Sequence, residues 1–421
     1  MSAAPFDALL LVENEAALGS AGGLGCVERM ERTLRQLGAG RLRIRVVPRI
    51  GAARVQAAQR RALPATELSV GPTGCGDLAG LAAESRLLVV AADRIIDRRA
   101  IEALLARGRP AALVDRSAEP GAGLPGAAVV AADWLRGRPS AESLEEALVG
   151  GLEDGSLEAV DVAALPTYSR PLRRDFPPFW YPAPRSPRES AMVRAHLLDA
   201  TQKGALDLPA HFHAPIEKLL TRAVAPTRWT PNQITLVTNL VAWSATALLA
   251  TGRLGAGLLV AMVVGVLDGV DGKLARLRLE TSKLGELEHF FDFLFEWSWW
   301  TALAYYFAAS GRIAEAWALW GVLAGSELVG GLAKLVVKRR FGLVIDEMSG
   351  LDRAIRFVAG RRNVYVWLLV ASTLAGRVED GFRLLAGWAL ATAVVHAVRA
   401  TLLVLRSRRT DEGYSAEAVN G

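Results

Sequence analysis

Two carboxylates one helical turn apart open the stretch Asp268-Gly269-Val270-Asp271-Gly272-Lys273-Leu274-Ala275-Arg276, at the end of an apolar segment. Side chains three residues apart share a helix face. A second acidic pair, Glu288 and Asp292, follows on the next apolar segment with a spacing of four. Carboxylates are costly at membrane depth and mark function there. Two such pairs facing each other could hold divalent cations against a pyrophosphate, because hard cations take carboxylate oxygens. Gly272 would let a ligand approach the backbone, and Arg276 could pair with a phosphate. The plain alternative is that Asp268 and Asp271 are helix-end charges solvated at the membrane surface.

These residues need elements to carry them. Of 421 residues 52% are hydrophobic, and they are unevenly spread. From about Gln233 to Leu405 the chain is mainly long apolar segments. Six are expected to cross a membrane, at about 233–251, 254–270, 287–309, 313–337, 363–376 and 382–405. Each is near the ~20 residues that a span needs, with the second and fifth short. Basic residues cluster on one side. Lys273, Arg276, Arg278 and Lys283 follow the second span, and Arg353, Arg356, Arg361 and Arg362 stand between the fourth and fifth. Arg406, Arg408 and Arg409 follow the sixth. By the positive-inside rule both termini are then cytoplasmic, in a bacterial or archaeal-type plasma membrane. The net charge of +6 is explained by this orientation, and no nucleic-acid partner is expected. Asp7 and Glu13 interrupt the only early apolar run, so no signal peptide is expected. Cys26 and Cys75 make no metal-ligand or disulfide framework and fit a reducing compartment.

Residues 1–165 read as a soluble α/β domain. Candidate strands are 8–12, 42–47, 87–90, 112–114 and 128–130, with helices at 27–37 and 98–106 between them. That alternation argues for a largely parallel sheet. Residues 166–190, rich in Pro and Arg, read as an extended linker. Residues 191–228 read as juxtamembrane amphipathic helices, 229–410 as the membrane domain and 411–421 as a flexible tail.

At Asp268, Asp271, Gly272, Ala275 and Arg276 the sequence resembles the CDP-alcohol phosphotransferase family, whose pattern is D-x2-D-G-x2-A-R, then G-x3-D-x3-D. Gly285 matches the later glycine, and Thr230-Pro231-Asn232-Gln233-Ile234-Thr235 looks like the family's entry to its first span. Counted strictly from Gly285, His289 and Phe293 stand where two aspartates should be. A one-residue deletion after Leu287 puts Glu288 and Asp292 there instead; a competing register uses Asp292 and Glu296. The resemblance implies a six-helix membrane fold, two divalent cations (Mg²⁺ or Mn²⁺) and a homodimer. It also implies attack by an acceptor hydroxyl on the β-phosphorus of a CDP-alcohol, expelling CMP, as in phospholipid or polyol-phosphate synthesis. By motif position Asp268, Asp271, Glu288 and Asp292 are metal ligands, with Asp292 also the candidate base. Gly272, Ala275, Arg276 and Gly285 line the CDP site. The partners implied are a CDP-alcohol donor, an alcohol or lipid acceptor, and membrane lipids.

Other residues are less specific. Arg361, Arg362 and Glu296 are possible acceptor or phosphate contacts, against topology charge for the arginines. Glu327 and Lys334, seven apart on one face of the fourth span, read as a buried structural ion pair or as a substrate contact. Trp297, Trp299 and Trp300 read as lipid packing. The N-terminal half resembles nucleotidyltransferases through a first strand, a stretch with Gly19, Gly22, Gly23 and Gly25, a helix at 27–37, and Asp93 at the place of a metal-binding aspartate. The first basic residue after that stretch is Arg29, so the basic loop residues of such enzymes are missing. The order of domains resembles bifunctional enzymes that make CDP-inositol and then transfer inositol phosphate. Three readings follow: a membrane transferase with a degenerate N-terminal domain, a bifunctional enzyme that also makes its donor from CTP, and a non-catalytic membrane protein whose shifted acids hold no metal.

Overall fold

Apolar residues at alternating positions of the first strand feed two different cores. Ala8, Leu10 and Val12 pack in one cluster, while Leu9 and Leu11 pack in another on the opposite face. This strand is β1 (Phe6–Val12), an interior strand of a seven-stranded sheet. The others are β2 (Ala39–Val46), β3 (Thr66–Val70), β4 (Leu87–Ala91), β5 (Ala111–Val114), β6 (Ala127–Val130) and β7 (Glu158–Asp161). The sheet order is β7-β5-β6-β4-β1-β2-β3, with β6 antiparallel to both neighbours and the remaining pairs parallel. β4 is buried along its whole length, as a strand covered on both faces must be. Helix α1 (Cys26–Gln36) covers the β1–β2 crossover. The computed structural model describes residues 6–58, 66–79, 86–117, 124–138, 140–204, 206–280 and 284–419, with the side chains of 76, 79, 284–290 and 408–419 outside the description.

The chain divides into two units. The first comprises Met1–Gln202, Arg222–Arg228 and Ala275–Glu280; the second comprises Lys203–Thr221, Trp229–Leu274 and Thr281–Gly421. Residues 166–190, expected as a linker, belong to the first unit. Trp180–Pro182 pairs antiparallel with Arg94–Ile96, and Tyr168–Ser169 pairs with Arg174–Asp175. Proline favours extended backbone, and short edge pairs accept it. Helix α2 (Pro187–Asp199) starts at Ser186, whose side chain accepts from Glu189 N–H, and it also lies in the first unit.

The second unit is helical. Its elements are α3 (Leu208–Val224), α4 (Pro231–Ala250), α5 (Leu254–Arg278), α6 (Leu284–Ala309), α7 (Ala316–Phe341), α8 (Gly350–Val358), α9 (Arg362–Leu374) and α10 (Val378–Val419). The ends of α3 and α5 fall in the first unit. Among the described residues four helices are long and apolar enough to cross a membrane: α4, α5, α7 and Val378–Ser407 of α10. Two of the six expected segments are not among these four. The segment 363–376 forms the 13-residue α9, about 20 Å long, short of a ~30 Å hydrocarbon core. The segment 287–309 lies in the 26-residue α6, where Asp292, Glu296 and the Trp and Tyr residues lower the apolarity. The expected tail is helical as far as Val419, since adding turns to an existing helix needs no new nucleus. Trp299 and Trp300 are in the core of the helical unit rather than facing lipid, and Trp299 Nε1 donates to Ala242 O at 2.9 Å.

Candidate active site

The entry to α4 explains one motif directly. Thr230 and Gln233 form a reciprocal capping box, with Pro231 in the first turn, where its missing N–H costs nothing. The cap fixes where α4 begins, and one turn on, Thr235 Oγ1 donates to Asp271 Oδ2 at 2.7 Å. Asp271 is 2% exposed, and its Oδ1 accepts from Gly272 N–H at 2.5 Å. Asp268, one turn earlier on α5, faces elsewhere. Its carboxylate pairs with the Arg362 guanidinium, which stands 5.2 Å from the centre of the Phe295 ring.

Asp268 lines a cavity of about 410 Å³ together with Asp292 and Glu296 of α6. The same cavity takes Lys334 from α7, and Arg356, Arg361 and Arg362 from the α8–α9 corner. Glu327 of α7, and Lys203 and Asp207, which precede α3, complete its charged lining. The arginines are held by carboxylates. Arg361 Nε is 3.7 Å from Asp207 Oδ2 and its Nη1 is 3.6 Å from Asp346 Oδ2, which also pairs with Arg356. Glu327 accepts from Tyr365 Oη at 2.8 Å, and among the described residues no ion pair joins it to Lys334. Of the two readings of Glu327 and Lys334, the ion pair is therefore not formed; the carboxylate takes the Tyr365 phenol, and both residues line the cavity.

The structure thus brings Asp268, Asp292, Glu296, Arg361 and Arg362 to one cavity, while Asp271 sits behind Asp268 against α4. Gly272 and Ala275 follow on α5. Arg276 belongs to the first unit, where its Nε donates to Thr201 O at 2.8 Å. Gly285 is in the first turn of α6, and the side chains of Glu288 and His289 lie outside the described residues. Among the described residues no group of three or more His, Cys, Asp or Glu side chains could hold a metal ion. Asp268 and Asp292, from different helices, are nevertheless hard oxygen donors on one cavity wall, and that chemistry fits a divalent cation.

In the first unit Asp93 is 8% exposed and is engaged by Asn14 Nδ2 at 2.7 Å and Arg94 Nη1 at 2.6 Å. Sequence reasoning did not assign Lys203, Asp207, Asp346 or Arg356 to the site, since they come from turns and short helices with no periodic signal; Arg356 stood out only as a topology charge. It also missed the buried ion pair between Glu217 of α3 and Lys273 of α5. A basic residue inside the acidic motif was its one visible trace.

Residues 228–399 match the CDP-alcohol phosphatidyltransferase family model. The chain is 24% identical over 205 residues to the bifunctional IPC transferase and DIPP synthase of Aquifex aeolicus, covering 48% of this chain and 46% of that protein. The match therefore spans about half the length of that relative. Among solved structures, the chain is similar to the phosphatidylinositol phosphate synthase of Mycobacterium tuberculosis with CDP-DAG bound, at 18% identity and a TM-score of 0.36, covering 44% of this chain and 94% of that one. It is also similar to the inositol-1-phosphate CTP transferase of T. maritima, at 11% identity and a TM-score of 0.34, covering 47% of this chain and 96% of that one.

Proposed function

We propose that this chain, whose C-terminal half carries a CDP-alcohol phosphatidyltransferase domain, is a membrane-bound transferase that moves a phospho-alcohol group from a CDP-alcohol to an acceptor hydroxyl. The observation that carries the reading is the cavity, in which motif carboxylates Asp268 and Asp292 face a set of arginines and lysines. In the reaction the acceptor oxygen forms a bond to the β-phosphorus of the donor, the one bearing the alcohol. The bond from that phosphorus to the bridging oxygen breaks, and CMP leaves with the electron pair. The acceptor proton passes to a carboxylate, for which Asp292 is the candidate by motif position and by its place on the cavity wall. Asp268, Asp271, Glu288 and Asp292 would hold divalent cations, Mg²⁺ or Mn²⁺, which when bound neutralise the pyrophosphate and stabilise the leaving oxygen. Gly272, Ala275, Arg276 and Gly285 are the motif positions for the CDP moiety.

The acceptor reading follows from charge. Lys203, Lys334, Arg356 and Arg361 add cationic side chains to the same cavity beyond Arg362, the partner of Asp268; Asp346 and Asp207 offset the charge of Arg356 and Arg361, whose guanidiniums keep further N–H donors for a phosphate. Such a wall suits an acceptor that carries its own phosphate, since a phosphomonoester brings about −1.5 to −2 charges at neutral pH. We therefore favour a polyol phosphate over an uncharged lipid alcohol, with Glu296 a candidate contact for its hydroxyls. The test is CMP release by purified protein with matched acceptors that differ only in the phosphate. Strong preference for the phosphorylated acceptor, lost in Arg361→Gln, supports the assignment; equal use of both acceptors refutes it.

A second reading, in which the first unit also makes the CDP-alcohol from CTP, draws on the bifunctional relative. Assay of CTP consumption by the full chain separates it from the first.

A further inference from the structure

The last carbonyls of a helix have no intrahelical donor and must find one elsewhere. At the end of α5 the donors can be assigned one by one. Glu280 N–H reaches Ala275 O at 2.9 Å and Leu279 N–H reaches Arg276 O at 3.3 Å, with Leu279 left-handed at φ 53°. This is the Schellman arrangement, with leucine in the position that glycine usually takes. The next three carbonyls are taken by side chains of α1. Arg29 Nη2 donates to Leu277 O at 2.8 Å, Arg32 Nη1 to Arg278 O at 2.8 Å, and Gln36 Nε2 to Leu279 O at 3.0 Å. Positions 29, 32 and 36 are spaced three and four, so they lie on one face of α1. Two of the three are cations, the favourable sign at the carboxyl end of a helix. Arg29 also donates to Ala21 O at 3.0 Å, and Arg32 is braced by Glu28 Oε1 at 2.5 Å.

The glycine-rich stretch serves the same contact. Ser20–Ala21 and Leu24–Gly25 form a tight hairpin whose turn residues, Gly22 and Gly23, have φ of 62° and 81°. A Cβ on Gly22 would meet Leu277 Cδ1 at 3.0 Å, and one on Gly23 would meet the carbonyl carbon of Ala225 at 2.8 Å. The chain's own Leu277 and Ala225 thus stand where only glycine leaves room. Arg278 closes the arrangement by donating to Ala225 O at 3.0 Å and Thr227 O at 2.8 Å.

We propose that Arg29, Arg32 and Gln36 are positioning residues. Helix α1 and the glycine hairpin form a docking cradle that fixes the Ala275–Glu280 turn, and with it Arg276, instead of a nucleotide site. The positioning role rests on reading residues 228–399 as the transferase. The cradle itself does not, and the two parts can be tested apart.

The experiment uses the full chain in detergent, as Arg32→Gln, Gln36→Ala and the double variant. Hydrogen exchange across 275–280, read by mass spectrometry, needs no activity. Loss of a side-chain hydrogen bond is expected to cut protection there by about tenfold; Gln36→Ala should hold the melting temperature, whereas Arg32→Gln, which also takes an ion-pair partner from buried Glu28, should lower it. In CMP-release assays the KM for the CDP donor should rise about tenfold while kcat stays within about twofold, and Arg32→Lys should recover part of the loss. Unchanged exchange in the folded double variant overturns the cradle. Lost protection with unchanged KM overturns the positioning role. Wild-type protein that releases no CMP from any donor removes the transferase reading and the positioning role with it, and the exchange data still decide the cradle.

Discussion

Gly269→Ala gives a sharp test of how α5 is held. Gly269 lies between the two motif aspartates, and a Cβ there would overlap the Glu217 carboxylate, with Oε1 at 2.5 Å. Real Cβ atoms do not come that close, so something must move. The neighbour is the end of a flexible side chain and can swing away, but only by leaving Lys273. Both partners are buried, Lys273 at 3% and Glu217 at 8% exposure. Taking the carboxylate from a buried ammonium costs about 3–5 kcal/mol. Replacing glycine by alanine inside a helix returns about 1 kcal/mol. Gly269→Ala is therefore expected to destabilise the protein by about 2–4 kcal/mol, a difference of the two principles' magnitudes. The assay is chemical unfolding of the purified protein in detergent, read by a signal from the helical unit. In a Glu217→Ala, Lys273→Met background the overlap and the ion pair are both gone, and Gly269→Ala should then stabilise by about 1 kcal/mol. A single Gly269→Ala variant as stable as wild type would refute the packing of α3 against α5 described here.

Other predictions follow from the first unit. Leu279 has φ 53°, a conformation that costs a branched residue about 1–2 kcal/mol, so Leu279→Gly should raise stability by up to about 1 kcal/mol once its lost packing is counted; a lower melting temperature would contradict this. His196 packs against Phe176, Phe179 and Tyr181, and burial, the largest influence, holds its pKa below the ordinary imidazole value despite Asp199 and Asp97 nearby. A depressed imidazole pKa means that the unfolded chain takes the proton first. Stability is thus full above about pH 6.5 and falls as pH drops from there towards the folded value, and His196→Phe should flatten that slope. Cys26, with its thiol pushed up to about 11 by burial, and Cys75, also raised by burial, are fully covered. Neither should react with a thiol reagent at neutral pH until the chain unfolds, and a fast-labelling cysteine in the folded protein would contradict the packing around β1 and β4.

The parts of this protein that could be read in advance are those where chemistry or burial imposes a local period. Asp268 and Asp271 could be placed on α5 because three-residue spacing inside an apolar run reads as helix, and the central strands could be read because both their faces are covered. Thr66–Val70 and Glu158–Asp161 were missed, since they are the outer strands of the sheet and carry polar residues. The Pro-rich 166–190 segment misled for a related reason: composition shows that a chain is extended, not whether it pairs. The cationic side of the cavity was half visible. Arg361 and Arg362 stood out as charges beside a span, but only tertiary structure brings Arg356, Lys203 and Lys334 to Asp268. Arg29, Arg32 and Gln36 carry a helical period, yet the carbonyls they serve lie more than 240 residues away in sequence.

The most direct test of the central claim is the stoichiometry of the transfer. Purified protein, a divalent cation, a CDP-alcohol and a polyol phosphate would be incubated, with CMP measured by chromatography and the phosphodiester product by ³¹P resonance and mass. The account predicts one CMP per phosphodiester, no reaction after chelation, and loss of both products in Asp268→Asn and Asp292→Asn. CMP formed without a matching phosphodiester, or product formed at the wild-type rate by the Asp268→Asn variant, would contradict it.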